Sequence, residues 1–415
     1  MSAAVRSEGD LRFPIDLSGG DFAAQKYTHF YPRLLESAPV CSGRISLLKL
    51  QLVSRYEDCR LVLSDERFIR DRGRAKGKPS AGPLPFPLPK SVAALAGSMI
   101  YADDPEHRRL RNLVNKAFTA QAVSGLEVAV EERSRGLLEG LSEERTVDLL
   151  PTYARSVPTR VIADMMGLEL EDVGHFEQGM RVLSEGLSGV AILRTLLWDL
   201  RKTATFVRGV IARKRRSPGD DILTALIEAE DQGDRLSEDE LLAMVFLLMI
   251  AGFETTQHLI GNGVRVLLEH PDQVDRMRSE PQLWGSAVEE IVRFRGPVHG
   301  TKPQYATEDV EISGHRIERG TPVMPLLGAA NLDPRFFEAP ELFDVARSPN
   351  HHLGFGFGAH FCLGKQLALM EARVSLRNLF ERFPNMALAV PSDELEIVNV
   401  PGWHRHRSMP VLLNS

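Results

Sequence analysis

The stretch that decides the reading of this chain is Phe355-Gly356-Phe357-Gly358-Ala359-His360-Phe361-Cys362-Leu363-Gly364. It sets one cysteine at the end of a glycine-punctuated loop, directly before a helical pattern running from about Leu363 to Glu381. Gly356 and Gly358 lack a Cβ, so the loop can bend sharply and its backbone can lie close to a large planar ligand. Unpaired N–H groups at the mouth of the following helix favour a thiolate at Cys362 over a thiol. The same groups would tune a metal bound to that sulfur. The alternative for any free cysteine is a small buried hydrophobe.

The segment matches the haem-ligand signature Phe-Gly-x-Gly-x-His-x-Cys-x-Gly at every fixed position. The chain therefore resembles the cytochrome P450 family of haem-thiolate monooxygenases. The resemblance runs from about Tyr56 to the C-terminus. It implies a mainly α fold with small β sheets, a single unit over residues 1–415 with residues 1–20 loosely ordered. Haem b would be bound through the Cys362 thiolate, between a long central helix and the cysteine-bearing helix.

The bulk properties agree. A chain of 415 residues can bury most of the surface its unfolded form exposes. A net charge of −6 argues against nucleic-acid binding, and three cysteines (Cys41, Cys59, Cys362) do not make a disulfide framework. No apolar stretch of signal-peptide or membrane-spanning length stands out, since Leu241–Gly252 is short and runs into Glu254. The expectation is a cytoplasmic protein without a membrane or nucleic-acid partner.

Other local signals place the elements. Ile45 to Val53 reads as strand and Tyr56 to Leu63 as a short helix. Asp104 to Phe118 reads as a helix with Pro105 in its first turn. Between Lys78 and Lys90, prolines 83, 85, 87 and 89 alternate with apolar residues, so the run is extended, either a linker or a semi-rigid lid. Met180 to Leu200 matches the region where two long family helices meet over the pocket. Arg213 to Arg216 reads as cations at a helix C-terminus in preference to a docking patch. Ser237 and Glu240 form a capping box, and the helix they open runs to His270, before Pro271.

In the middle of that long helix stands Ala251-Gly252-Phe253-Glu254-Thr255-Thr256. Gly252 removes a side chain, and Glu254 and Thr255 set a carboxylate beside a hydroxyl in an apolar stretch. The resemblance makes these the acid–alcohol pair: a local helix opening where the hydroxyl holds dioxygen and water and the carboxylate relays protons. Glu290-Ile291-Val292-Arg293 matches the family's Glu-x-x-Arg pair, completed by Arg347. His107 and Arg111, four apart, and His352 match positions that hold the haem carboxylates. Phe355, Gly356, Ala251 and Gly252 complete the haem contacts. The usual arginine before Ala306-Thr307-Glu308-Asp309 is replaced by Gln304, for which Lys302 is a candidate substitute. Leu369 stands where many relatives carry arginine. Arg108, Arg109, Lys116 and Lys365 remain as candidate docking cations.

The resemblance implies separate electron donors, a ferredoxin or flavodoxin with its NAD(P)H-dependent reductase, besides dioxygen and a mid-sized apolar substrate to be hydroxylated or epoxidised. Leu248, Val298, His299 and Trp403 are the pocket candidates; His299 is equally a satisfied structural histidine. Two rivals share the haem: a peroxide-driven enzyme and a non-catalytic haem sensor or carrier. Glu254 and Thr255 argue against both. A zinc site from Cys362 with His351, His352 and His360 lacks paired ligand spacing.

Overall fold

The structure, a computed structural model, describes residues 11–80, 98–118, 125–141, 146–169, 172, 174–175, 200–231 and 233–414. The proline-alternating run and the apolar stretch over 180–199 lie outside these residues, apart from 78–80.

Ile15–Asp16 (β1) lies parallel to Val40–Ile45 (β2), which forms an antiparallel hairpin with Leu48–Val53 (β3). Ile15 and Leu17 are buried, so the N-terminal segment is packed from at least Ile15, against the expectation of a loose end at 1–20. The hairpin turns at Ser46, which takes a positive φ of 53°. Polar Ser42, Gly43 and Arg44 hide β2 from a hydrophobicity reading, although Val40 and Cys41 are core residues.

Next come a helix at Tyr56–Ser64 (α1), a short strand at Phe68–Ile69 (β4), and a helix at Glu106–Ala117 (α2) that follows Pro105. Glu127–Glu139 (α3), Ser156–Met165 (α4) and Leu200–Arg216 (α5) lead to the long helix Glu238–Glu269 (α6). The basic end of α5 is spent on local pairs: Arg213 with Asp172, Lys214 with Asp221 and Arg215 with Glu238.

The capping box of α6 forms as read, with Glu240 Oε2 accepting from the Ser237 N–H at 2.8 Å and Ser237 Oγ from the Glu240 N–H at 3.3 Å. His270 caps the other end, and Pro271 opens the next helix. At 32 residues the rod is roughly 48 Å long. It is the one helix among the described residues long and apolar enough to cross a membrane, yet most of its apolar window is buried inside the fold.

Trp284–Arg295 (α7), strands Gln304–Ala306 (β5) and Pro322–Pro325 (β6), and Lys365–Arg382 (α8) complete the frame. The strands form one sheet in the order β1-β2-β3-β6-β5-β4. Helices α4, α7 and α8 pack around α6, with Val161, Phe246, Met249, Phe253, Ile260, Ile291 and Leu376 in one apolar core. A second core, including Val53, Val62, Ala306, Val323 and Leu353, ties the sheet to α1 and to the segment before the cysteine loop.

Candidate functional site

The cysteine loop is built by two left-handed glycines. Gly356 and Gly358 have φ of 75° and 71°, a region that side-chain-bearing residues rarely adopt. Their tolerances differ. A Cβ on Gly358 would lie 2.5 Å from the Leu63 carbonyl oxygen, so the loop is seated against the end of α1. A Cβ on Gly356 would meet nothing nearer than 3.7 Å, so there the backbone angle alone requires glycine. Arg60 covers the Phe357 ring, with its guanidinium carbon 4.7 Å from the centroid. The Cys362 N–H donates to the Phe355 carbonyl at 2.9 Å and closes the loop.

The three cysteines are chemically distinct. Burial pushes the Cys41 thiol up to about 12 and holds Cys59 well above its ordinary value, with Cys59 Sγ donating to the Val53 carbonyl. Cys362 is only partly covered. Burial raises its thiol above the ordinary value, and the Gly364 N–H, Arg111 and Lys365 offset part of that rise. Those three partners favour the thiolate form.

On α6 the residues Leu247, Leu248, Ala251, Gly252 and Thr255 interrupt an otherwise buried helix with a partly open stripe, and Ala251 is exposed. An apolar stripe left open in the middle of a core helix is what a large guest covers. The helix itself is unbroken from Glu238 to Glu269, so the expected local opening is absent. Thr255 Oγ1 instead donates to the Ala251 carbonyl, and Thr256 Oγ1 to Gly252 at 2.8 Å. Bonds of this kind loosen a helix slightly without opening it. Gly252 does not leave room for a ligand: a Cβ there would lie 2.5 Å from Ile162 Cδ1, so its small size serves the crossing of α4 and α6.

Glu254 and Thr255 are adjacent, hence about 100° apart around the helix. The Glu254 carboxylate is buried and paired with Arg405 of the C-terminal segment. His258, one turn on, is also buried; desolvation, reinforced by Arg405, pushes its pKa down to about 3. The acid and the alcohol therefore look in different directions, and Arg405 is a partner that helical spacing could not reveal.

A cation cluster lies near the cysteine. His107 packs on the His360 ring at a centroid separation of 4.1 Å, and its Nε2 is buried without a partner. Arg111, on the same face of α2, has no hydrogen-bond or ion-pair partner among the described residues and lowers the pKa values of both His107 and Cys362. Burial, then Arg70, His107 and Arg111, push His360 down to about 3.

His352 does not belong to this group. Its Nε2 meets Glu289 Oε2 at 2.7 Å and its Nδ1 accepts from the Gly354 N–H at 3.1 Å, so both ring nitrogens are spent on protein. The histidine beside His107 is instead His360, which the sequence signature fixes two residues before the cysteine. The zinc arrangement is not assembled. His351 is exposed, His352 is held by Glu289, and His360 lies on His107. Among the described residues no cluster of three metal-binding side chains forms.

The Glu-x-x-Arg pair is fully interior. Glu290 accepts from Arg293 Nη2 at 2.6 Å and Nε at 2.7 Å, from Arg347 Nε at 3.1 Å, from Asn350 at 3.0 Å and from the Asp344 N–H at 3.1 Å. Arg293 spends its other donors on the carbonyls of Asn331, Pro340 and Leu342. Arg347 reaches those of Glu338, Ala339 and Leu342. The network thereby pins the irregular segment 331–350, the run that delivers the cysteine loop.

The pocket candidates divide. Val298 and Trp403 pair through an isolated β-bridge, and Leu248 lies on the open stripe of α6. His299 is buried, with Nε2 and Nδ1 each 2.9 Å from the hydroxyls of Tyr27 and Tyr31. Together with Trp403, Lys26 and Tyr31 it lines a cavity of about 10 Å³. That holds a water and no substrate, so His299 is the structural histidine of the two readings.

Of the docking cations, Arg109 is tied to Glu106, Asp234 and Glu240, and Lys365 to Glu289, while Arg108, though paired with Asp104, is largely exposed. Leu369 packs partly against the core.

An open apolar stripe, a cysteine flanked by Arg111 and Lys365, and a half-buried arginine beside a buried His107 nitrogen without a partner fit a flat metal macrocycle that carries carboxylates. Comparison with known proteins agrees. The family model "Cytochrome P450" matches residues 200–389. The polyketide biosynthesis cytochrome P450 PksS of Bacillus subtilis is 35% identical over 369 residues, covering 88% of this chain and 89% of that one. The solved structure of PksS superposes with a TM-score of 0.88, covering 96% and 99% of the two chains at 32% identity. The 6-deoxyerythronolide B hydroxylase of Saccharopolyspora erythraea is 36% identical over 383 residues, covering 92% and 94%. The tirandamycin C-bound P450 monooxygenase TamI gives a TM-score of 0.85 at 35% identity, covering 97% and 100%. With relatives this similar along nearly its whole length, the chain belongs to the cytochrome P450 family.

Proposed function

We propose that this haem-thiolate monooxygenase, which carries haem b on the Cys362 thiolate, inserts oxygen into a mid-sized, largely apolar molecule of the polyketide class. The names of its relatives support the substrate class: a polyketide biosynthesis cytochrome P450 and a 6-deoxyerythronolide B hydroxylase. The observations that carry the reading are the glycine-built Cys362 loop, which leads into α8 packed on α6, and the partly open stripe Leu248–Ala251–Thr255 on α6 itself. The bound haem supplies dioxygen activation, favoured by electron donation from the thiolate.

The chain's own residues then take these parts. The Gly364 N–H and Arg111 stabilise negative charge on Cys362 Sγ. Phe355 and Gly356 shape the loop on the cysteine side, and Leu248, Ala251 and Gly252 present an apolar wall that keeps water out. Thr255 Oγ1, now donating to the Ala251 carbonyl, can exchange that partner and hand a proton to a ligand at the stripe. Glu254, anchored by Arg405, is the acid one residue away, and it reaches Thr255 only by leaving that ion pair. Arg111, His107 and His360 would hold the cofactor carboxylates. Val298 and Trp403 stand at the edge of the substrate space.

Electrons come from separate redox proteins, which we take to be a ferredoxin or flavodoxin served by an NAD(P)H-dependent reductase. We further propose that the protein works as one unit in the cytoplasm.

A ligand screen read by the haem absorption band tests the substrate class. Macrolide-sized lactones and linear polyketides should give the water-displacement shift, and a surrogate ferredoxin system should then yield products one oxygen atom heavier. A panel in which only fatty acids or steroids bind and turn over would reject the polyketide reading. Turnover with peroxide but none with reduced ferredoxin would favour the peroxide-driven alternative.

A further inference from the structure

We propose that Arg70 is the guanidinium that neutralises a haem carboxylate in this chain, taking across the β4–β5 strand pair the place left by the uncharged Gln304. The proposal rests on the haem reading above.

The register carries it. Strands β4 and β5 run antiparallel, with Phe68 opposite Ala306 and Ile69 opposite Tyr305. One step further sets Arg70 opposite Gln304. Arg70 Nη1 donates to the Lys302 carbonyl at 2.6 Å, which fixes the guanidinium beside the start of β5. A cation missing from one strand is thus present on its neighbour.

The local accounting of donors supports the same assignment. Arg70 Nε is buried with no partner, and among the described residues the guanidinium makes no ion pair. Asp103 acts on the guanidinium only through space: its two oxygens accept from the backbone N–H groups of Arg70 at 2.7 Å and Asp71 at 2.9 Å. Asp104 pairs with Arg108 and stands 3.7 Å from His107 Nδ1.

Arg70 is within electrostatic reach of His107 and His360, and Arg111 joins them. Two buried nitrogens without a partner, Arg70 Nε and His107 Nε2, thus occur in one cluster beside the half-buried Arg111. A buried guanidinium donor left unpaired is costly unless an anion accepts from it. A cofactor with two carboxylates is such an anion. Lys302 is the weaker candidate, because its ammonium lies over the Tyr101 ring, 4.8 Å from the centroid.

The test compares the holoenzyme with Arg70→Gln, Arg70→Lys, Gln304→Arg and the double variant Arg70→Gln/Gln304→Arg. Two readouts are used: the rate of haem transfer to excess apomyoglobin, and the iron reduction potential. Arg70→Gln should release haem roughly tenfold faster, the factor for one lost charge-assisted hydrogen bond. Its potential should fall, since a positive charge near the cofactor is gone. Arg70→Lys should lie between the two. The double variant, with the cation returned on the other strand, should recover both values.

Wild-type release and potential in Arg70→Gln would overturn the proposal. So would a double variant that stays as defective as Arg70→Gln, because the arginine would then serve packing alone. Failure of the underlying reading is separately visible: wild-type protein would show no thiolate-ligated haem before any variant is compared.

Discussion

Replacing Glu290 with glutamine keeps the side-chain shape and removes one charge from a fully enclosed ion cluster. Glu290 and Arg293 side chains are both 0% exposed and Arg347 is 12% exposed. The carboxylate takes five hydrogen bonds, three of them from the two guanidiniums. Glutamine has one carbonyl oxygen to offer and turns an NH₂ group toward donors. At least one charged donor loses its acceptor: Arg293 Nε if the amide oxygen takes the Oε1 place, Arg293 Nη2 and Arg347 Nε if it takes the Oε2 place.

Breaking a buried pair from one side costs about 3–5 kcal/mol. Little of it is recovered, since the remaining arginine donors are already committed to carbonyls of residues 331–342. Against a total stability of about 5–15 kcal/mol, the variant should fold poorly and hold haem weakly. Urea unfolding of the purified holoprotein, followed at the haem band and by far-ultraviolet circular dichroism, measures the loss. The companion Arg293→Lys, which cannot reproduce the five-donor fork, should lose a comparable amount. A Glu290→Gln protein within 1 kcal/mol of wild type, with haem fully retained, would refute the reasoning that this network holds the segment leading to the cysteine loop.

Glu254→Gln should cost about 3 kcal/mol, because Arg405 is left among His258 and His406; a double-mutant cycle with Arg405→Gln should give a coupling of about 1–3 kcal/mol, and strictly additive singles would show that the pair is not formed. Thr255→Val should keep its fold and its cofactor but slow oxygen insertion by roughly 10²-fold, with reducing equivalents escaping as hydrogen peroxide; unchanged coupling of electrons to product would remove Thr255 from the mechanism. Stability should fall with acid. His258 and His406 have pKa values pushed by burial from 6.5 to about 3, so the unfolded chain binds protons below pH 6.5 that the fold refuses. Each histidine contributes a slope of about 1.4 kcal/mol per pH unit down to about pH 3. Glu371 acts in the opposite sense. Its pKa is raised by burial from 4.5 to about 8, so its contribution is present below 4.5 and is lost as pH rises through 8. Glu371→Gln should therefore steepen the acid loss between pH 6.5 and 4.5; urea midpoints that fall no faster in the variant would refute the assignment.

What could be read from the sequence was local. The cysteine loop depends on backbone angles that only glycine adopts freely, and the start and end of α6 depend on a capping box and a histidine–proline stop. All of these are written within a few residues. The Glu290–Arg293 pair, three apart on one helix face, was legible for the same reason. The destinations of side chains over long separations were not. Glu254 finds Arg405 at a separation of 151 residues, and His299 finds Tyr27 and Tyr31 at 272 and 268.

His352 and His360 illustrate the limit. Both precede the cysteine, and only the packing of α7 reveals that Glu289 claims His352. Strand β2 was hidden by its polar centre. Arg70 was invisible because its meaning depends on which residue stands opposite it one step beyond a two-residue strand.

The central claim is that the sulfur of Cys362 is bonded as an anion to the haem iron, and the absorption spectrum of the reduced protein under carbon monoxide tests it most directly. The account predicts a main band far to the red of a histidine-ligated haem, and its loss in Cys362→Ser and Cys362→His. A wild-type spectrum like that of a histidine-ligated globin, or an unaltered band after either substitution, would contradict it.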